Sequence, residues 1–238
     1  MSRFFVKQVN NEIIFSNDDL FHLKNVLRLK VGDKIELVVE NGETGVYMIK
    51  NLNPVHVTFL SSLENDGENS VFIRLYYCLS KGNKVDLVIQ KATELGVDEI
   101  VLVDSRFTVK KLNEKTLDTK LERFNKIALE ASKQSKRTKV PRVIGPFKLD
   151  EDLFSKDTSE TKIIAYENEP QEKDIVSVLK LDKSNTYSLL VGPEGGFSLE
   201  EVEIAKDAGF MSVSLGKRIL RSETAAIHIV GLVSALRR

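Results

Sequence analysis

VFIRLYYCLSKGNKVDLVIQKATELGVDEIVLVDS, residues 71–105, is the stretch that decides the fold. Its ends, VFIRLYYCLS and EIVLVDS, are short apolar runs rich in β-branched and aromatic residues and read as strands. Between them Val85, Val88, Ile89, Ala92 and Leu95 recur at helical spacing on one face, and Gly96 closes the helix. Strand, helix and strand in that order make a β-α-β unit, whose strands are parallel because a crossover of this length joins them.

Downstream the same grammar continues. A long helix around TKLERFNKIALEASKQS turns Leu121, Phe124, Ile127, Ala128 and Ala131 to one side and ends before Pro141. Strand KIIAYE, a helix near IVSVLK, strand YSLLV, helix SLEEVEIAKDAG, strand SVSLG and helix ETAAIHIVGLVSALRR follow. The alternation predicts an α/β domain over residues 71–238 with a mainly parallel sheet. The last helix is apolar nearly all round, which fits deep burial or a subunit interface. Upstream, the short alternating segments RFFV, EIIF, KIELVVE, GVYMIK and VHVTFLSSL predict a β-rich unit over residues 1–70, closed by the polar linker ENDGENS. One helix interrupts it, with Leu20, Leu23, Val26 and Leu27 on a face behind a Ser16 or Asn17 cap.

Composition sets the outer limits. The chain has 238 residues, 42% hydrophobic, and a formal net charge of zero. No apolar run is long enough to cross a bilayer, and the first residues carry no secretory pattern, so the expectation is a soluble cytoplasmic protein. The one cysteine, Cys78, sits in an apolar setting that reads as core. His22, His56 and His228 have no partners at metal-ligand spacing, so no metal is expected. Between Arg106 and Arg142, Lys and Arg greatly outnumber Asp and Glu, a basic stripe that is a solvated face or a phosphate track.

In open parallel sheets ligands sit beyond the carboxyl ends of the strands, which brings the ends of KIIAYE, YSLLV and SVSLG together. YSLLV runs into GPEGGFS, where Gly192, Gly195 and Gly196 permit positive φ and close backbone approach. A phosphate cradle is disfavoured there. Ser198 and Glu201 form a capping box, Glu194 and Glu200 add carboxylates, and no Lys or Arg lies between Lys183 and Lys206. Neither G-x-x-x-x-G-K-[ST] nor G-x-G-x-x-G is matched, which argues against an ATP or NAD enzyme. A neutral or cationic ligand held by backbone groups fits better, such as an adenosine bearing a sulfonium. In SLGKRILRSETAAIH, Ile219 and Leu220 are apolar within a loop and must bury against the core or a flat heterocycle.

LVGPEGGFSLEE, LGKRILRSETAAI, DLVIQKATELGVDEIV, EASKQSKR and HLKNVLRLKVGD, in their order along essentially the whole chain, resemble the RsmE family. Its members are bacterial methyltransferases that modify N3 of one uridine in small-subunit (16S) ribosomal RNA. The resemblance implies a SPOUT α/β domain with a trefoil knot, a PUA-like β-barrel at the N-terminus, S-adenosylmethionine as cofactor, and a homodimer acting on 16S RNA or the small subunit. Carried over by position, the cofactor pocket comprises Ala165, Tyr166, Glu167, Leu190, Val191, Gly192, Pro193, Glu194, Gly195, Leu215, Gly216, Ile219, Leu220 and Arg221. The charge reading agrees, since a sulfonium tolerates Glu194 where a pyrophosphate would not.

Uracil N3–H is weakly acidic, so methylation there needs a base or water path for the proton and a cation near the developing oxyanion. Arg221 is expected in the second role, its alternative being a salt bridge to Glu194 or Glu223. Glu223 is the nearest candidate base. RNA contacts are expected from Arg3, His22, Lys24 and Arg28, and from Lys133, Lys136, Arg137, Lys139 and Arg142, which would meet phosphates and set register. The alternative function is a non-catalytic RNA-binding ribosome-assembly factor with the same fold; retention of both GPEGG and RILRSETA argues against it.

Overall fold

The computed structural model describes the chain apart from residues 11, 41, 65–66, 109–111, 113, 168–173 and 238. It divides into two units, Met1–Glu68 with Ser132–Lys139, and Asn69–Ala131 with Val140–Arg238. The octapeptide 132–139 thus joins the small unit, although sequence reading put it in the large one.

The small unit is built on β1 (Arg3–Val9), β2 (Glu12–Ile14), β3 (Lys34–Val39), β4 (Thr44–Leu52) and β5 (Val55–Ser62), in the order β2-β1-β3-β4-β5. β1 and β3 are parallel and the other neighbours antiparallel. Among the described residues the ladder has two edges, with no β5–β2 pairing, so the expected barrel is an open sheet in its hydrogen bonding. Phe4, Val6, Ile35, Leu37 and Ile49 fill its core. The crossover between β1 and β3 holds α1 (Asn17–Phe21), capped by Ser16, whose Oγ accepts from Asp19 N at 3.1 Å. It continues as a π-helical turn over His22–Val26. That wider turn shifts the apolar face: Leu23 is fully buried, whereas Val26, expected beside it, is 56% exposed.

The large unit holds one sheet of six parallel strands in the order β11-β9-β10-β6-β7-β8. These are β6 (Phe72–Cys78), β7 (Glu99–Asp104), β8 (Arg142–Lys148), β9 (Thr161–Ala165), β10 (Thr186–Val191) and β11 (Met211–Val213). One face is covered by α2 (Lys84–Glu94), α3 (Leu117–Gln134), α4 (Ile175–Leu181) and α6 (Ser222–Leu236). The other face carries α5 (Leu199–Asp207) and a 3-10 turn over Glu151–Phe154. Burial on both faces explains why the strands read as continuous apolar runs. β8 has no counterpart in the sequence reading. RVIGPFK contains Gly145 and Pro146, residues that argue against a central strand, and β8 is an edge strand with a register shift against β7 between Val101 and Val103.

Candidate functional site

The carboxyl ends of β9, β10 and β11 converge as expected and leave a cleft with two adjoining compartments of about 160 and 230 Å³. Both are walled by Ala165, Tyr166, Glu167, Ile219, Leu220 and Ala225. The first adds Ser214, Leu215, Gly216, Lys217 and Arg218; the second adds Val191, Gly192, Pro193, Glu194, Gly196, Phe197, Arg221 and Ser222.

Glycines in the loop after β10 are required mainly by space. Only Gly196 has positive φ, at 72°, and a Cβ there would lie 2.9 Å from Glu167 Oε1. A Cβ on Gly192 would meet the Phe197 ring at 2.9 Å, and one on Gly195 the Phe107 Cβ at 3.0 Å. Gly195 therefore packs against Phe107, between Glu194 and Gly196, which line the cleft. Leu190 is missing from the lining, contrary to its expected place, because alternation turns its side chain into the core on the α5 face. Of the apolar loop pair, Leu220 packs against the main core while Ile219, 86% exposed, stands on the cleft wall.

The start of α5 carries the capping box its sequence implies. Ser198 Oγ accepts from Glu201 N at 3.3 Å, and Glu201 Oε2 accepts from Ser198 N at 2.9 Å. Glu201 Oε1 also accepts from Arg106 N at 2.7 Å, and Glu200 pairs with the Arg106 guanidinium at 3.2 Å. The carboxylates of Glu200 and Glu201 at this helix start disfavour a phosphate.

Charge at the second compartment is arranged differently from the sequence reading. Glu194 is held by Lys84, Nζ to Oε1 2.9 Å, and Oε1 also accepts from Lys81 N at 3.2 Å. Burial pushes the Glu194 carboxyl up, but Lys84 and the backbone N–H groups outweigh it and hold the group below the ordinary carboxylate value. The same ammonium lies 3.1 Å from Glu223 Oε2, a contact of charge without hydrogen-bond alignment. Its bond to Glu194 raises the Lys84 pKa above the ordinary lysine value. Glu223 therefore turns to Lys84 and is not among the residues lining the cleft. Arg221 lines the cleft and makes no side-chain hydrogen bond or ion pair among the described residues; both carboxylates expected as its alternative partners go to Lys84. With Glu194 neutralised, Glu167 is the carboxylate on the wall with no ion pair among the described residues.

Sequence reasoning missed the segment after β6. β6 adjoins β10 in the sheet, so SKGNK (80–84) delivers Lys81 and Lys84 to the cofactor loop from more than a hundred residues upstream. Ser222, also missed, donates from Oγ to Gly192 O at 2.5 Å and so ties the first turn of α6 to the same loop. The buried Tyr77 hydroxyl lies 2.7 Å from Ser80 Oγ, and burial raises its pKa. Buried Cys78 belongs to the core, as expected.

The basic residues separate into two groups. Arg137 is 2% exposed and bonds Glu68 at 2.7 Å; Thr138 N and Lys139 N donate to the same carboxylate at 2.7 and 3.1 Å. Arg3 is buried against Glu36 at 2.9 Å, Lys136 pairs with Glu36 at 2.8 Å, and Lys133 with Asp19 at 2.9 Å. These four hold the small unit together, and their charges are spent internally rather than on phosphates. Lys24 donates to Asn53 Oδ1 at 2.7 Å, and the His22 ring stands edge-on to Phe4. Arg28, Lys139 and Arg142 are exposed. Among the described residues no group of three His, Cys, Asp or Glu is placed to hold a metal.

Comparison with known proteins agrees with this architecture. A family described as RNA methyltransferase domain matches residues 67–234, and one described as RNA methyltransferase PUA domain matches residues 15–60. The chain is 33% identical to ribosomal RNA small subunit methyltransferase E of Mesomycoplasma hyopneumoniae, covering 97% of each chain. It is 29% identical to the Bacillus subtilis protein of that name, over 98% of this chain and 96% of the relative. The crystal structure of a Neisseria gonorrhoeae ribosomal RNA small subunit methyltransferase E bound to S-adenosyl methionine superposes with a TM-score of 0.86 at 29% identity, covering 99% of this chain and 98% of that one.

Proposed function

The chain belongs to the ribosomal RNA small subunit methyltransferase E family, and we propose that, as an S-adenosylmethionine-dependent methyltransferase of 16S ribosomal RNA, it methylates N3 of one uridine. The observation that carries this reading is the cleft at the ends of β9, β10 and β11, where Arg221, with no ion pair among the described residues, stands beside a glycine loop whose following helix start is already capped by its own side chains.

The residues present fit the cofactor. Glu167 supplies a carboxylate suited to a cation, Ile219 an exposed apolar surface suited to a purine, and Gly196 a place where no side chain fits. Ala165 to Glu167, Val191 to Glu194, and Leu215 to Arg221 would hold it. S-adenosylmethionine bound there supplies an electrophilic methyl group on a sulfonium centre.

The chain's own task is to align a uracil and stabilise the charge that N3 deprotonation spreads to O2 and O4. Arg221 is the group for that charge, since it lines the cleft at the α6 N-terminus and its guanidinium has no partner among the described residues. Glu223 is engaged by Lys84, which favours a water path for the N3 proton over direct transfer to that carboxylate. The target base must be splayed from its stack to enter the cleft. Arg28, Lys139 and Arg142 are the cations available for the RNA backbone. We also infer the family's trefoil knot, supported by a strand order that places β11 beyond β9 before α6 returns under β10 and β6, and a homodimer.

The test is incubation of the purified chain with labelled S-adenosylmethionine and small ribosomal subunits lacking the modification, followed by nucleoside mass mapping. N3-methyluridine at one position is expected. Methyl on another atom or base, or none with the cofactor bound, overturns the reading and in the last case favours the assembly-factor alternative.

A further inference from the structure

Arg221 has no ion-pair partner among the described residues, although Glu194 lines the same cleft and Glu223 follows two positions later. The reason lies in the first residue of α2. Lys84 takes up both carboxylates, at 2.9 and 3.1 Å, from a position where a cation is otherwise out of place. The positive end of a helix dipole disfavours a lysine in the first turn, and Asn83 gives α2 no side-chain cap. Glu223 Oε2 is buried and has no hydrogen-bond donor, so the Lys84 charge is what compensates it.

We propose that Lys84 is a positioning residue for methyl transfer: by gathering Glu194 and Glu223 on one ammonium it keeps both carboxylates off Arg221 and leaves that guanidinium to the substrate. The inference rests on the reading that Arg221 faces the reacting base. Lys84 itself touches neither compartment of the cleft. Without it both carboxylates lose their cation; Glu194 lines the same compartment as Arg221, and Glu223 follows Arg221 by two positions at the start of α6.

The experiment compares wild type, Lys84→Met, Lys84→Arg and the triple variant Lys84→Met/Glu194→Gln/Glu223→Gln. Three quantities are read: S-adenosylmethionine affinity by calorimetry, kcat on small subunits, and the Arg221 Nε–Hε resonance, assigned by its loss in Arg221→Lys. In Lys84→Met the resonance shifts, kcat falls about tenfold or more, and cofactor affinity stays within about threefold. Lys84→Arg keeps kcat within about threefold of wild type. In the triple variant, where no carboxylate is left to compete, the resonance returns to its wild-type position. An unmoved resonance or an unchanged kcat in Lys84→Met, or a resonance that the triple variant does not return to its wild-type position, overturns the proposal. If Lys84→Met does not fold, Lys84→Met/Glu223→Gln, which spares the fold the buried unpaired carboxylate and leaves Glu194 to compete, takes its place, and an unmoved resonance there overturns the proposal. The resonance is read without substrate, so a wild-type chain that transferred no methyl would refute the functional reading and still leave this inference decided.

Discussion

At the scale of the residue, the site is a matter of which charges are already satisfied. Among the described residues Arg221 and Glu167 line the cleft without an ion pair, while Glu194 and Glu223 are paired with Lys84. Arg221→Ala should therefore abolish methyl transfer while leaving cofactor affinity within about an order of magnitude, since the lost interaction belongs to the transition state. Calorimetry beside a single-turnover assay checks this, and near-normal turnover would refute it. A second residue-scale prediction concerns Glu68. Burial works to raise its pKa, but the bond and charge of Arg137 and the N–H groups of Thr138 and Lys139 win and hold it below the ordinary 4.5. A depressed carboxylate contributes stability that is fully present above its unfolded value and is lost as pH falls through the folded one. Acid unfolding of the chain should thus steepen below about pH 4.5, and Glu68→Gln should flatten that slope while lowering stability at neutral pH.

At the scale of the element, periodicity and capping predicted what local chemistry controls. Ser198 with Glu201 was legible as a capping box, and the structure contains it. Ser198→Ala should cost about 1 kcal/mol of stability, measured by denaturant unfolding, because Glu201 N loses its acceptor at the start of α5. Elements set by nonlocal context were less legible. β8 escaped because Gly145 and Pro146 break the strand pattern, and only an edge position beside β7 makes that pattern acceptable. The π turn of His22–Val26 inserts an extra residue into one turn, so a 3.6-residue count placed Val26 on the wrong side.

At the scale of the whole molecule, the basic stripe is the instructive case. Counting charge along 106–142 could not separate a phosphate track from an internal framework, and the structure assigns Arg3, Lys133, Lys136 and Arg137 to the framework of the small unit. Two variants should behave oppositely. Arg142→Ala should reduce the slope of log affinity for RNA against log salt by about one, with stability unchanged. Arg137→Ala should cost about 3 kcal/mol of stability, because it leaves Glu68 partly buried without its partner, and should not change that slope. Filter binding at several salt concentrations and thermal unfolding distinguish the two, and a slope change in Arg137→Ala would contradict the assignment. The sequence by itself determined the parallel α/β class, the cleft formed by the ends of β9, β10 and β11, the occupied start of α5 and the family, because each rests on periodicity or on motifs within a dozen residues. Only the tertiary structure decided that Lys84 meets Glu194 and Glu223, that Glu68 holds Arg137, and that Gly195 backs onto Phe107. Those partners lie far apart along the chain, and which distant charges become neighbours is fixed by strand order and packing, which no local pattern encodes.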